Sequence, residues 1–212
     1  MLTKFRRSEA KTLAASLALS IAVFASAQTF APARAAVAAD DARVTMNAAV
    51  ADFSLPDADG KEHKLSALRG KQATAIIFVS TRCPVSNGYN SRMAQLAADY
   101  AAKGVNVIGI NANVSETPEQ IKAHAAENKL AFTILKDKGN KVADRFGAQF
   151  TPEVFLLDGS GKLVYHGRID NSRDPEAVNS NDLRNALDAV LAGQPVPVAE
   201  TKAFGCSIKR AA

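Results

Sequence analysis

The chain has 212 residues, a formal net charge of +5 and 47% hydrophobic residues, enough for one core-bearing domain with extra segments around it. Much of the positive charge sits at the start, in Lys4, Arg6, Arg7 and Lys11, and removing residues 1–27 (four basic, one acidic) lowers the net charge to +2. The remainder has no Lys/Arg run interleaved with aromatics and no second apolar stretch of membrane length, which argues against a nucleic-acid or membrane-spanning protein.

Residues 1–27 read as a secretory signal peptide. The basic residues precede an apolar stretch, Thr12 to Ala25, that is too short to cross a bilayer, and Ala25-Ser26-Ala27 supplies a small-residue cleavage site. The expectation is a periplasmic or secreted protein, with no membrane contact after cleavage. Residues 28–45 are Ala-rich and read as a flexible leader, 46–193 as the folded domain, and 194–212 as a tail.

Asp52 to Leu68 has the pattern of a small hairpin. Phe53 and Leu55 precede the turn Asp57-Ala58-Asp59-Gly60, and His63 and Leu65 follow it. The aspartates lack the rest of a calcium-loop pattern, so they are assigned to the turn. Ala73 to Val79 is a continuous apolar run, as in a strand buried on both faces. It ends at Ser80-Thr81-Arg82-Cys83-Pro84, after which Tyr89, Met93, Leu96 and Tyr100 line one face of a helix that Gly104 stops. Val105 to Ile110 is a second strand. Thr117-Pro118-Glu119-Gln120 combines a capping box with proline at the first helical position.

Phe132 to Leu135 predicts a third strand, and Val142 with Phe146 a short helix. Val154–Leu157 and Leu163–His166 predict a hairpin closed by Asp158-Gly159-Ser160-Gly161. Leu183, Leu187 and Val190 line a last helix ending at Gly193. The order is a βαβ unit, a connecting helix, then ββα, and it resembles the thioredoxin fold.

The chain has two cysteines, Cys83 and Cys206. Cys83 stands where a buried strand gives way to a helix, with Pro84 in the first turn. Unpaired N–H groups there favour negative charge by up to ~2 kcal/mol, or roughly 1.5 pKa units. Arg82 would add to this if its side chain turned inward. The thiolate is the nucleophilic form, so this position suits a reactive cysteine.

The segment Phe78-Val79-Ser80-Thr81-Arg82-Cys83-Pro84-Val85-Ser86 resembles the active-site segment of redoxins, the AhpC/TSA family of the thioredoxin superfamily. The resemblance extends through Phe146-Gly147-Ala148-Gln149-Phe150-Thr151-Pro152-Glu153-Val154-Phe155-Leu156-Leu157-Asp158 and spans about residues 50–192. It implies an α/β, thioredoxin-like fold with a central mixed sheet flanked by helices, here carrying an N-terminal β-hairpin extension. It also implies that Thr151-Pro152 is a cis peptide facing Cys83, with the Thr151 backbone free to pair with an extended substrate. No cofactor or metal is implied.

Departures from the family pattern define the open questions. Ser86 occupies the place of the second cysteine of a CxxC motif, so any resolving thiol must come from elsewhere. Peroxiredoxins have a Pro-x-x-x-Thr-x-x-Cys pattern, for which this chain has Ile76 and Ser80. Their peroxide-holding arginine corresponds to Pro152, leaving Arg168 as a candidate substitute. Cys206 is either the resolving thiol for Cys83 or a structural staple, which in the chain-entropy model stabilises by ~4–5 kcal/mol. His63, His124 and His166 form no metal motif, and a copper-delivery site would require a second cysteine near Cys83. Asn87 and Asp170 read as helix-start and loop residues.

Three functions fit this sequence. The first is thiol–disulfide exchange at Cys83 with a thiol or disulfide partner protein and an external reductant. The second is a thiol peroxidase, with Cys83 passing through a sulfenic acid on reaction with a peroxide. The third is a binding module whose two cysteines are permanently bonded. The residues expected to support Cys83 are Ser80, Thr81, Arg82, Pro84, Ser86, Thr151 and Pro152.

Overall fold

The computed structural model describes residues 43–211. The inferred signal peptide and most of the inferred leader lie outside that range. Val44, at the end of the expected leader, already donates to the Arg145 carbonyl at 2.8 Å.

Strands β1 (Ser54–Pro56) and β2 (Glu62–Lys64) form the expected antiparallel hairpin. It is shorter than Asp52–Leu68, because Leu65 turns into a helical segment, α1 (Leu65–Leu68), and is fully buried. The Asp57 carboxylate holds the turn, accepting from the Asp59 and Lys61 N–H groups at 2.9 and 3.0 Å, and pairs with His63 at 2.7 Å.

Strand β3 (Ala73–Phe78) is buried at every position, and the reason is its place in the sheet. After it come α2 (Pro84–Asn87), α3 (Asn90–Ala101), β4 (Val105–Asn111), α4 (Pro118–Glu127) and β5 (Thr133–Lys136). Next are α5 (Lys141–Phe146), β6 (Phe150–Thr151), β7 (Glu153–Asp158), β8 (Leu163–Gly167), α6 (Asp182–Leu191) and β9 (Cys206–Ser207). The main sheet has the order β5-β4-β3-β7-β8. β3, β4 and β5 are parallel, while β7 and β8 are antiparallel, so β3 is central and covered on both faces.

Alternation along β3 divides the core. Ala73, Ala75 and Ile77 face a cluster containing Tyr89, Met93, Leu96 and Tyr100 of the α3 segment with Leu183 and Leu187 of α6. Ile76 and Phe78 face Phe53, Leu65, Val142, Phe146 and Phe155, and Ile208 of the tail joins this second cluster. There Phe78 meets Phe146 and Phe155 edge-on, with centroids 6.0 and 5.7 Å apart. Phe78→Ala would leave a cavity among rigid rings on the central strand. The expected loss is about 3–5 kcal/mol, read as a lower urea midpoint at unchanged slope.

Two expected helices differ in an informative way. The Thr117 capping box forms as read, with Thr117 and Gln120 bonding each other's backbone N–H groups. The helix after Cys83 is not continuous: α2 is a single turn, closed by Tyr89 N–H to the Ser86 carbonyl at 3.0 Å, and α3 begins afresh at Asn90. Gly88, a poor helix former, sits at that break. The apolar stripe nevertheless stays on one face, with Tyr89, Met93, Leu96 and Tyr100 all buried.

The segment after α6 crosses the open side of β8 and returns to the thiol. Ala199 accepts from His166 N–H at 2.9 Å, and Thr201 N–H donates to the His166 carbonyl at 3.0 Å. Phe204 then packs against Tyr89, and β9 pairs antiparallel with β6.

Candidate active site

Cys83 caps the first turn of α2: its sulfur accepts from Ser86 N–H at 3.3 Å, and it lies 3.3 Å from the Thr151 carbonyl. Thr151-Pro152 is cis, as the resemblance implied. Only 4% of Cys83 is exposed. Four-residue α2 has little macrodipole, so individual donors rather than a helix field stabilise negative charge here.

Ser80 shapes the turn around the thiol. Its hydroxyl accepts from the Cys83 and Arg82 N–H groups at 3.0 and 3.2 Å and donates to Glu116 at 2.5 Å. Ser86 ties the same turn, its hydroxyl oxygen accepting from Ser80 N–H at 3.2 Å. Glu116 also receives the Thr81 N–H, the Thr81 hydroxyl and the Asn111 amide at 2.6, 2.9 and 2.6 Å. Burial pushes the Glu116 carboxyl up, but this set of donors outweighs burial and holds it below its ordinary value. Lys136, itself buried, bonds the Asn111 side-chain oxygen at 3.1 Å and the Asn113 carbonyl at 2.6 Å.

Cys206 reaches the same place through backbone pairing, with Thr151 opposite Cys206 and Phe150 opposite Ser207. Both cysteines are free thiols. Their ionisation is linked. Burial pushes Cys83 up, yet hydrogen bonds from the Cys206 thiol, Ser86 N–H, the Thr151 side chain and Cys206 N–H bring it below the ordinary thiol value. Cys206 moves the opposite way, raised by its hydrogen bond to Cys83, by burial and by the Cys83 charge, against Val85 N–H and Lys209. Cys83 is therefore the thiol that ionises first. Iodoacetamide alkylation of Cys206→Ser protein should show a midpoint for Cys83 closer to that of a free cysteine than in the native protein, which should titrate below it. A native midpoint above free cysteine would contradict this order.

Three expectations are corrected by the geometry. Arg82 does not turn inward; it is exposed, and its guanidinium bonds the Gln120 side chain at 3.3 Å. Arg168 is no substitute for a peroxide-holding arginine, because it pairs with Asp182 at 2.7 Å and does not line the Cys83 cleft. The Thr151 backbone edge, expected to be free for an extended substrate, is occupied by β9.

The remaining polar candidates have partners of their own. His124 bonds Asn90 at 3.0 Å, and His166 bonds Glu153 at 2.7 Å. Asn87 ties its amide to the Thr81 carbonyl at 3.0 Å, while Asp170 accepts from Tyr89 and Arg92 at 2.8 and 2.7 Å. Sequence reading missed Glu116, Asn111 and Asn113. Glu116 directly precedes a capping box, where an acid is normally solvated, and nothing local marks it as buried.

The mixed sheet order, the cysteine at the first turn after the central strand and the cis-proline facing it define a thioredoxin-like fold with a thiol at its candidate site. The family model for the AhpC/TSA family matches residues 46–166, and the chain belongs to that family. Peroxiredoxin Q from chloroplasts of Sedum lineare is 30% identical over 137 residues, covering 60% of this chain and 72% of its own. The thiol-disulfide oxidoreductase ResA of Geobacillus thermodenitrificans is 30% identical over 120 residues, covering 57% and 67%. Among solved structures, a hypothetical protein of Sinorhizobium meliloti 1021 superposes with a TM-score of 0.74 at 38% identity, covering 80% of this chain and 96% of that one.

Proposed function

We propose that this redoxin is a thiol–disulfide oxidoreductase in which Cys83 attacks a disulfide and Cys206 resolves the resulting mixed disulfide. The observation that carries the reading is the pairing of Thr151 with Cys206, since Ser86 supplies no second local thiol. The charge linkage supports the same order of events. Cys83 is nucleophilic first. Once it is in a mixed disulfide its negative charge is gone, which removes two of the influences that keep Cys206 protonated. Cys206 then becomes the attacking thiol.

In this reading Ser80, Thr81 and Ser86 hold the turn, Pro84 starts it, and Thr151 and Pro152 bring the tail alongside. A peroxidase mechanism is less well supported, because Arg82 and Arg168 are both engaged away from the sulfur and the Ser80 hydroxyl is committed to Glu116. We further propose that the protein acts in the periplasm or outside the cell, on the strength of the signal-like residues 1–27. Cell fractionation tests that directly.

The chemical test uses reduced protein in single turnover. Mixing with an equivalent of a simple disulfide should yield an intramolecular Cys83–Cys206 bond by mass spectrometry, faster than hydrogen peroxide yields a Cys83 sulfenic acid. Peroxide reacting at least as fast as the disulfide would favour the peroxidase instead.

A further inference from the structure

In a thioredoxin-like site a polypeptide substrate can add itself as a strand to the backbone preceding the cis-proline, gaining main-chain hydrogen bonds. Here that position is already filled from within. Residues 205–208 run beside Gln149–Thr151, with Phe150 opposite Ser207, Thr151 opposite Cys206, and Ile208 N–H on the Gln149 carbonyl at 2.9 Å. Gly205 lies so close that a Cβ there would stand 2.1 Å from the Thr151 carbonyl oxygen. The segment is anchored further on: Ile208 is buried, Lys209 N–H bonds the Asn113 side chain at 2.8 Å, and Arg210 pairs with Asp144 at 2.8 Å.

What stays accessible beside Cys83 is a cleft of about 250 Å³, small for a ligand site, lined by polar residue types that expose more apolar than polar surface. Arg82 and Lys209 both line it. Glu116 lines it too, but its carboxylate is already met by four donors. Asn113 adds a second kind of signal. It is 3% exposed, its side-chain oxygen is taken by Lys209 N–H, and its amide nitrogen has no partner. One cation on the wall, Lys209, with the Arg82 guanidinium held at Gln120 rather than at the sulfur, and the unmatched Asn113 donor favour a compact molecule carrying negatively charged oxygens.

Building on the thiol–disulfide reading, we propose that the oxidant is a small carboxylate-bearing disulfide and that the tail excludes extended polypeptides by taking their strand. In the step, the Cys83 thiolate attacks one sulfur of RS–SR, forming Cys83–SR and releasing RS⁻. Cys206 then attacks the Cys83 sulfur, forming the Cys83–Cys206 bond and releasing the second RS⁻. The two protons of the starting thiols end on the two released thiols, and the protein has given two electrons to the disulfide. An external dithiol returns the protein to its reduced state.

The test is single-turnover oxidation of the full chain by small disulfides of matched size and different charge. These are dithiodiglycolate (dianionic), bis(2-hydroxyethyl) disulfide (neutral) and cystamine (dicationic), each normalised to its rate with a free alkyl thiol. A disulfide-linked dimer of a linear peptide is the fourth substrate. The dianion should react about tenfold faster than the neutral compound, with an advantage that shrinks as salt is added. The peptide should react slowest. Lys209→Gln should lower the dianion rate several-fold more than it lowers the neutral rate. Gly205→Ala, which forces the tail from Thr151, should raise the peptide rate. A peptide that outpaces the small disulfides, or equal normalised rates across the charge series, would overturn the proposal while leaving thiol–disulfide exchange standing. If Cys83 reacts with none of the four, the underlying exchange reading fails with it.

Discussion

Replacing Cys83 by serine should abolish disulfide reduction, with a loss of at least about 10³-fold, while the far-ultraviolet circular dichroism stays native. A serine hydroxyl does not ionise near neutral pH, so the donors that lower the Cys83 thiol have nothing to act on. The Cys206→Ser variant separates the two steps. Its first attack should proceed and release one equivalent of thiol, after which Cys83 remains trapped as a mixed disulfide, visible as added mass. A Cys206→Ser protein that completes turnover at the native rate would assign resolution to an external thiol.

The second large effect concerns stability. Glu116→Ala should destabilise the fold by about 3–5 kcal/mol, because it leaves Thr81 N–H, the Asn111 amide and the Ser80 and Thr81 hydroxyls without their common acceptor. That is a large part of the roughly 5–15 kcal/mol holding a domain together, and it should lower the melting temperature markedly. The sign with pH follows from the lowered pKa. Glu116 contributes stability above its unfolded-state value, and that contribution is lost as pH falls through the still lower folded-state value. Glu116→Gln should therefore be less stable than the native protein at neutral pH and lose less stability on acidification, a flatter acid dependence when unfolding is followed by circular dichroism. Because Ser80 joins Glu116 to the Cys83 N–H, the same variant should also alter the rate of Cys83 alkylation.

Much of the fold was legible because its signals are short-range. The unbroken apolar run of β3, the period of Tyr89, Met93, Leu96 and Tyr100, and the Thr117–Gln120 capping box each depend on residues within a few turns of one another. The family resemblance, carried by the segments around Cys83 and Thr151-Pro152, brought the thioredoxin-like arrangement and the facing proline, and the match to residues 46–166 bears out the family.

The break between α2 and α3 was less legible, since Gly88 lowers helix propensity without specifying where a turn tightens. The direction of Arg82 was open for a related reason: a residue next to a thiol in sequence need not point toward it, and Gln120 on another helix takes its guanidinium.

The chain alone determined the strand-and-helix order, the family and the position of Cys83 at a strand-to-helix junction, because each is written in local pattern or in a contiguous motif. Tertiary structure alone decided that a carboxylate from the start of α4 would organise the thiol turn, and that the tail would lie along β6 with Cys206 beside Cys83. Those contacts join residues 36 and 55 positions apart, through Ser80 to Glu116 and Thr151 to Cys206. Their formation depends on the packing of Ile208 and Phe204 into separate clusters and on close backbone approach at Gly205, which no periodicity along the chain encodes.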